Sequence, residues 1–257
     1  MPSPDAAFIA RYIDEASDAH YSVLFTPPAR RDAVAAVFAF HCAMRDLLTV
    51  QPDVAPTKVS WWHEELARIR RGEGVHPLSK KLMGVNDAAL FDAMDALLHG
   101  AVMDLNHVDV DDDSLDQYLR LRGGALHEAL GAITGVHVAP ADQALLARMQ
   151  SIPSILSEAR DPRFADRPSA RLALTDGGDD QRLEATLCTL HGDAWRQLAG
   201  RPLPGVSSAV CLALGRLAWP LIIATPYGKA PPEPAPWRKL WSAWRAARRH
   251  QSQGTAT

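Results

Sequence analysis

Residues 30–50 read RRDAVAAVFAFHCAMRDLLTV, and residues 58–71 read KVSWWHEELARIRR. In both stretches apolar side chains recur every three to four residues, which is the spacing of one face of an α-helix. Pro27 and Pro28 precede the first stretch and Gly72 follows the second, so each stretch has a typical helix boundary. The two stretches therefore predict two consecutive amphipathic helices.

The rest of the chain continues in the same pattern. Further helices are predicted at residues 86–106, 114–135, 139–159, 206–225 and 237–250, together with one that ends near Gly200. No segment alternates apolar and polar residues as a half-buried strand does, and no sequence repeat is present. About eight or nine helices predict an all-α fold, and the length of 257 residues predicts one domain, residues 1–257.

Composition argues against several classes of function. A formal net charge of −3 provides no overall basic field for nucleic acid. Cys42, Cys188 and Cys211 are widely spaced, which argues against a disulfide framework and a zinc knuckle and fits a reducing compartment. Neither HExxH nor GxSxG occurs, so two common hydrolase signatures are missing. The N-terminus lacks the pattern of a signal peptide, and we expect a cytoplasmic protein.

Several motifs together resemble the squalene/phytoene synthase family. They occur in the family's order and close to its spacing: VFAF at residues 37–40, WWHEEL at 61–66, HPL at 76–78, MDL at 103–105, LDQY at 115–118 and WRKLW at 237–241. The resemblance covers nearly the whole chain.

The resemblance implies an isoprenoid-synthase-like helical bundle around a deep apolar cavity. Active members of the family condense two prenyl diphosphates head to head, and two Asp-rich motifs on facing helices bind Mg²⁺. Magnesium is a hard cation that carboxylates and phosphate oxygens hold, and it neutralises the departing diphosphate. Carboxylates four residues apart on a helix point the same way, so a DxxxD spacing directs both at one metal cluster.

The first Asp-rich motif is largely replaced in this chain. Its two aspartates fall on Arg45 and Thr49, while the neighbouring Asp46 is kept. The fixed positive charge of Arg45 would repel Mg²⁺. Arg45 either replaces the metal and pairs directly with a diphosphate, or forms an ordinary salt bridge or solvated side chain. Arg45 and Asp46 are therefore candidate substrate-binding residues.

The second Asp-rich motif is also altered. It falls on residues 154–158, SILSE, and Asp161 stands where the next aspartate is expected. Pro162 disfavours the α conformation at Asp161, so the end of a helix is the preferred interpretation. Asp46, Glu158 and Asp161 are candidate Mg²⁺ ligands only if the chain is an active enzyme.

Three further positions bear on catalysis. Asp104 and Tyr118 match family positions near the reaction centre and are candidate catalytic residues, although Tyr118 is equally well explained as a packed tyrosine with a satisfied hydroxyl. His127 falls on a family glycine that shapes the cavity, where an imidazole would take space from a prenyl chain or diphosphate. It is a candidate substrate-binding residue, and a buried, hydrogen-bonded histidine is preferred to a general base.

The predicted C-terminal helix carries an aromatic face and a basic one. Trp237, Leu240, Trp241 and Trp244 share one side, and the helix has five arginines and lysines and no acid. Such a helix suits an anionic membrane surface, which would make the protein peripheral to the inner face of a membrane. The preferred alternative is that the tryptophans cover the core.

The replaced aspartates favour a catalytically degenerate family member over an enzyme. It would keep the cavity, bind an isoprenoid or another lipid or serve as a scaffold for a protein partner, and need no cofactor. Mitochondrial relatives with similarly decayed aspartates act as assembly factors, which gives the scaffold role a precedent by analogy. The alternative is an active Mg²⁺-dependent prenyltransferase of isoprenoid biosynthesis that condenses two prenyl diphosphates and uses Asp46, Asp104, Glu158 and Asp161 at its metal site.

Overall fold

A computed structural model describes residues 4–14, 17–85, 87–164, 171–172, 180–201 and 203–254. Twelve α-helices account for most of these described residues. They are α1 Pro4–Tyr12, α2 Asp18–Leu24, α3 Arg31–Asp46, α4 Ala55–Arg70, α5 Pro77–Leu82, α6 Ala88–Leu105, α7 Leu115–Leu119, α8 Ala125–Thr134, α9 Pro140–Arg160, α10 Asp180–Leu198, α11 Val206–Ala224 and α12 Pro236–Gly254.

Short elements complete the described part of the chain. The π-helical turn Arg120–Gly124 joins α7 to α8, and three 3-10 turns lie at Pro28–Arg30, Leu47–Thr49 and Pro162–Phe164. The described residues contain two strands of two residues each, β1 Asp109–Val110 and β2 Arg171–Leu172, which pair in parallel. The all-α prediction is confirmed, since these strands form no more than a single short contact.

Helix α3 lies within the largest hydrophobic cluster. Val34, Val37 and Phe40 have no exposed surface, and the small Ala36 and Ala39 between them are equally buried. A helix that is apolar around most of its circumference is buried among other helices. The periodicity predicted a helix to residue 50, but α3 ends at residue 46, and the chain continues through a 3-10 turn.

The WWHEEL and HPL motifs meet where α4 ends and α5 begins. Glu65 has no exposed surface and accepts hydrogen bonds of 2.8 Å from the backbone N–H groups of Val75 and His76. The His76 ring packs edge-on against Trp61 and Trp62, with ring centroids 5.5 and 5.1 Å apart. A charged acceptor bonded to two backbone donors fixes the connection between the helices. These motifs therefore hold the scaffold together.

Three helices were not predicted, and one prediction was too simple. α1, α2 and α5 span nine, seven and six residues, too short for apolar periodicity to be counted over several turns. Residues 114–135 were predicted as one helix but form α7, the π turn and α8. The π turn changes the direction in which the following side chains point.

Helix α11 packs against several other helices. By length and composition it is the one helix in the described part of the chain that would cross a membrane, but half of its most apolar window is buried within the protein. It packs against α2, α9 and α12. Core helices of soluble proteins commonly combine such length and hydrophobicity with burial on several sides.

The prediction that the tryptophans of α12 cover the core is wrong. Trp237, Trp241 and Trp244 expose 69%, 55% and 40% of their surface. The inner side of α12 includes two small residues, Ala243 and Ala247, which pack against α2 and α11 with at most 3% exposure. Side chains on opposite sides of a helix point away from each other, so this packing turns the tryptophans outward.

Candidate functional site

Five polar residues from separate parts of the chain form what we call the buried ion cluster. They are Arg45 on α3, Asp104 on α6, Tyr118 on α7, Arg122 in the π turn and Glu158 on α9. Asp104, Tyr118 and Arg122 are almost fully buried, and the side chains of Arg45 and Glu158 are about one fifth exposed. The sequence indicated four of these residues as candidates.

The π turn brings Arg122 between α6 and α9. Gly100 allows α6 to lie close to the π turn, because a Cβ atom at this position would be only 2.4 Å from the carbonyl oxygen of Leu121. On the other side, the Ser151 hydroxyl of α9 donates a 2.7 Å hydrogen bond to the backbone of α7. Asp104 lies one helical turn beyond Gly100, so it faces the same π turn.

Tyr118 and Arg122 both bind Asp104. The Tyr118 hydroxyl donates to Asp104 Oδ1 at 2.7 Å, and Arg122 Nη1 donates to Asp104 Oδ2 at 2.5 Å and to the Tyr118 oxygen at 2.7 Å. Burial raises the pKa of Tyr118 well above its usual range, an effect that Arg122 opposes and Asp104 strengthens. Tyr118 therefore keeps its proton near neutral pH, and its hydroxyl is satisfied.

Glu158 connects the two arginines. Arg122 Nη2 donates to Glu158 Oε2, and Arg45 Nη2 pairs with Glu158 Oε1. The Ser154 hydroxyl accepts from Arg45 Nη1 at 2.8 Å and donates to Glu158 at 3.1 Å. Burial, followed by the charge of Arg122, lowers the pKa of Arg45 to about 10, so Arg45 is still cationic at neutral pH. Of the interpretations left open for Arg45, the structure has the salt bridge.

Magnesium does not fit the buried ion cluster as it is arranged. Mg²⁺ takes carboxylate oxygens in a near-octahedral shell, whereas Asp104 and Glu158 are already bonded to guanidinium groups. The space left beside Arg45 and Arg122 is about 10 Å³, at most roughly the room for one water molecule. Within the described ranges, no group of three or more His, Cys, Asp or Glu side chains is placed to hold a metal.

The structure does not bring Asp46, Glu158 and Asp161 together. Asp46 lines a separate cavity of about 390 Å³ beside Tyr12. Burial raises the pKa of Tyr12 to about 12, and the Asp46 carboxylate adds to the shift. Asp161 follows α9 in an extended conformation, φ −83° and ψ 117°, and accepts hydrogen bonds from the Arg163 side chain at 2.9 and 3.0 Å. The helix end predicted at Asp161 is confirmed, and Glu158 alone joins the cluster.

Two uncharged histidines lie next to the cluster. His127 has no exposed surface, and among the described residues neither ring nitrogen has a partner in standard hydrogen-bond geometry. Burial lowers the pKa of His127 to about 4, which the Gln150 side chain partly opposes. Burial and then the charge of Arg45 lower the pKa of His41 to about 3. His127 is a buried core residue, as the preferred interpretation had it, but the hydrogen bond expected with it is not formed in standard geometry among the described residues. Both rings are neutral at pH 7.

A cavity of about 420 Å³, here called the central cavity, opens between α3, α8, α9 and α11. Its wall is largely apolar and includes Phe38, Leu126 and Ile222, and His41 and Gln150 add polar groups. Pockets of this volume hold small organic ligands in other proteins. His41 lines both the central cavity and the small space beside Arg45 and Arg122, so the central cavity adjoins the buried ion cluster.

Charged residues stand at one end of the central cavity. Lys239 of α12 pairs with Asp18 at 3.3 Å and with Glu233 at 3.1 Å. The side chains of Asp18 and Glu233 are 45% and 77% exposed, so this end meets solvent.

Sequence reasoning missed Arg122 and His41. Arg122 stands in the apolar, glycine-rich stretch at residues 119–131, and it follows Tyr118 by four residues. Residues four apart share a helix face, and an arginine in such a stretch is rarely buried without an acidic partner. This signal would have placed Arg122 beside Tyr118, but not beside Glu158.

Gly100→Ala is expected to lower the free energy of unfolding by about 1–3 kcal/mol, the usual cost of forcing volume into a close contact. The new Cβ would meet backbone atoms of Leu121 and Arg122, which cannot move without displacing the cluster. Urea unfolding measures the change. Gly192→Ala on α10 is the matched control, since its Cβ has open space and alanine is the better helix former by about 0.5–1 kcal/mol. Equal effects of the two substitutions would contradict the close contact.

The family model for squalene/phytoene synthase matches residues 14–152, which is more than half of the chain. The matched segment includes Arg45 and Arg122 and ends before Glu158 and Asp161. No match was found among curated proteins.

Two solved structures are similar to this chain along nearly its whole length. A dehydrosqualene synthase in complex with ligand gives a TM-score of 0.71 at 15% identity, with 96% of this chain and 97% of that chain covered. Squalene synthase HpnC from Alicyclobacillus acidocaldarius gives a TM-score of 0.57 at 15% identity, with 99% and 97% covered. At this identity the similarity shows the fold, the all-α isoprenoid-synthase bundle that was predicted. Taken with the match of the family model, it follows that the chain belongs to the squalene/phytoene synthase family.

Proposed function

We propose that this chain is a catalytically degenerate family member whose central cavity binds an uncharged isoprenoid or a similar lipid. One observation carries the proposal: Arg45 and Arg122 pair with Asp104 and Glu158 inside the helical bundle. A buried carboxylate needs a positive partner, and here the partners are guanidinium groups of the chain itself. No cofactor is then required for the site to be stable.

The charges around the central cavity favour an uncharged ligand. Arg45 and Arg122 line the space of about 10 Å³, and the charged residues of the described chain that line the central cavity are Asp18, Glu233 and Lys239. Two carboxylates and one ammonium leave no surplus of positive charge to bind a diphosphate. A diphosphate in this cavity would lose its hydration and would also be repelled by the two carboxylates. A hydrocarbon chain needs only the apolar wall.

The polar end of the ligand is expected beside His41 and Gln150. His41 is neutral at pH 7 and forms a hydrogen bond with the backbone of Arg122. A neutral imidazole that donates one N–H keeps an acceptor nitrogen on the other side of the ring. This acceptor and the Gln150 amide suit the hydroxyl group of a prenyl alcohol.

Calorimetric titration with farnesol, geranylgeraniol and the two corresponding diphosphates, each with and without MgCl₂, tests the proposal. The alcohols are expected to bind with dissociation constants on the order of tens of micromolar. The diphosphates should bind no more tightly than the alcohols, and Mg²⁺ should not change the dissociation constant of either class of ligand. If none of the four binds, the lipid-binding role is excluded and the scaffold role for a protein partner is favoured.

A substitution that fills the central cavity distinguishes specific binding in that cavity from non-specific adsorption of an apolar ligand to the protein surface. Gly215 lines the central cavity on α11, and a Cβ there has no neighbour within 4 Å. Gly215→Leu is therefore expected to fold normally and to weaken alcohol binding by at least about tenfold. Gly192→Leu, at an equally open helical glycine outside the cavity, is the matched control and should bind as the unmodified protein does.

An active Mg²⁺-dependent prenyltransferase is the alternative, and one observation favours it. Asp104 and Tyr118, the two candidate catalytic residues, are in direct contact in the bundle. Activity would require Arg122 to leave Asp104, since its guanidinium holds the carboxylate. The same titration decides: Mg²⁺-dependent binding of a diphosphate, followed by extraction of a condensed hydrocarbon, would establish an enzyme and overturn our proposal.

A further inference from the structure

The outer face of α12 is aromatic along more than two turns. Trp237, Trp241 and Trp244 project from it at i, i+4 and i+7, and Leu240 beside them is 46% exposed. The rings of Trp241 and Trp244 stack, with centroids 4.9 Å apart and planes 24° apart. The indole of tryptophan has an apolar body and a polar N–H group. Tryptophan is therefore enriched at interfaces where one end of the side chain contacts an apolar phase and the other contacts water.

Arginines lie along one flank of this aromatic face and at its C-terminal end. Arg248 follows Trp244 by one turn, and its guanidinium lies 5.4 Å from that ring. Arg238 lies 5.6 Å from the Trp237 ring. At 3.6 residues per turn, Arg238 and Arg245 occupy one flank of the face together with Arg249, and all are exposed.

The positive charge of this region is not offset within the helix. The sequence of Pro236–Gly254 contains no acidic residue. Arg249 also borders a cavity of about 320 Å³ whose lining includes Arg216, and no acidic residue lines that cavity among the described residues. An aromatic strip with one basic flank matches the layers of an anionic bilayer surface, where the apolar boundary lies beneath a plane of phosphates.

We propose that α12 binds the surface of an anionic lipid bilayer, with its tryptophans at the apolar boundary and its arginines among the lipid phosphates. The chain is then a peripheral protein of the inner face of a membrane. The inner side of the same helix carries Lys239, which lines the central cavity. A bilayer-bound α12 therefore holds the cavity next to the phase in which isoprenoids dissolve.

Sedimentation with lipid vesicles tests the proposal on the intact protein. The probes are vesicles of phosphatidylcholine alone and vesicles that contain about 30% phosphatidylglycerol, in low and high salt. We expect at least about tenfold more protein on the anionic vesicles at low salt, and loss of most of this difference at about 0.5 M NaCl, because salt screens the attraction. A blue shift of tryptophan fluorescence should accompany binding.

Two sets of substitutions separate the aromatic and basic contributions. Trp241→Ser with Trp244→Ser should lower the vesicle-bound fraction about tenfold in every lipid. Replacement of Arg238, Arg245 and Arg248 by glutamine should lower binding to the anionic vesicles alone. The matched control removes three exposed charges elsewhere on the chain by glutamine substitution of Arg71, Lys80 and Lys81, and should bind as the unmodified protein does. Circular dichroism confirms that each variant folds.

Three outcomes would overturn the proposal. Equal sedimentation with both kinds of vesicle, or equal loss of binding in the control variant, would mean that α12 has no role in recognising an anionic surface. Absence of vesicle binding together with a concentration-dependent dimer that the tryptophan substitutions abolish would assign the aromatic face to a second copy of the chain. Analytical ultracentrifugation detects such a dimer.

Discussion

Arg122→Met is expected to lower the free energy of unfolding by about 3–5 kcal/mol, the range found when one partner is removed from a buried ion pair. The Arg122 side chain is 5% exposed and donates to both Asp104 and Glu158. Methionine retains much of the packing volume, so most of the loss would reflect the missing guanidinium beside Asp104 and Glu158, of which Glu158 keeps Arg45 as a partner. Urea unfolding monitored by circular dichroism measures the change.

Arg120 is the matched control for this prediction because it belongs to the same π turn. Its guanidinium forms two hydrogen bonds of 2.6 Å with Glu128, but its side chain is 37% exposed. Arg120→Met is therefore expected to cost about 1 kcal/mol or less. Equal losses at the two arginines would show that the buried ion cluster contributes no more than a surface pair.

A combined variant tests the physical cause. Asp104→Asn removes the charge that Arg122→Met deprives of its guanidinium, whereas Glu158 keeps its pair with Arg45, so the two changes together should restore most of the stability lost by the single change. Magnesium offers a second test, because Asp104 and Glu158, which both lose Arg122 as a partner in Arg122→Met, are two of the four carboxylates that the active-enzyme alternative places at its metal site. Stabilisation of that single variant by millimolar MgCl₂ would mean that Arg122 alone excludes the metal.

The fold was predictable from the sequence because helical periodicity survives wherever a helix spans several turns. α3, α6 and α9 show it, and the helices that were missed have at most nine residues. The candidate site was predictable only in part. Arg45 was indicated by its charge at a family carboxylate position, but its partner Glu158 lies 113 residues away in the chain, and periodicity carries no information on such distant pairs.

The π turn explains why the pairing of Arg122 with Glu158 was not predictable, although its position beside Tyr118 was. A regular helix over residues 114–135 would set the direction of every side chain after Tyr118, whereas the π turn at Arg120–Gly124 changes that direction within the segment itself. Gly100 and Ser151 hold this turn from neighbouring helices. The decisive geometry is therefore tertiary, and the local sequence does not contain it.

The face of α12 was misjudged for a related reason. Sequence spacing shows which side chains share a side of a helix, but not whether that side points inward. Ala243 and Ala247 decide the matter, because their small side chains allow α12 to pack on α11 and leave the larger tryptophans outside. An aromatic strip that lies opposite a strip of alanines, with arginines on its flank, is thus better explained by an interface than by a core.

Lowering the pH from 7 to 5 is expected to destabilise the protein through His41 and His127, by up to about 2 kcal/mol for each. Burial holds the pKa of His41 at about 3 and that of His127 at about 4, below the ordinary value of 6.5. The unfolded chain therefore takes up protons first as the pH falls. The contribution of these neutral rings to the free energy of unfolding is fully present above about pH 6.5, and it is lost progressively as the pH falls towards the folded pKa values.

Urea unfolding at pH 7, 6 and 5 measures this loss, and the readout is the slope of stability against pH. His127→Gln replaces the ring by a group that does not titrate, so its slope should be smaller than that of the unmodified protein, whatever the variant's stability at pH 7. His63→Gln on the exposed side of α4 is the control and should leave the slope unchanged. Carboxylates that titrate below pH 6 contribute equally to all three proteins and cancel in the comparison. An unchanged slope in His127→Gln would mean that the ring is protonated as readily in the folded protein as in the unfolded chain, and the interior beside the buried ion cluster would then have to admit water.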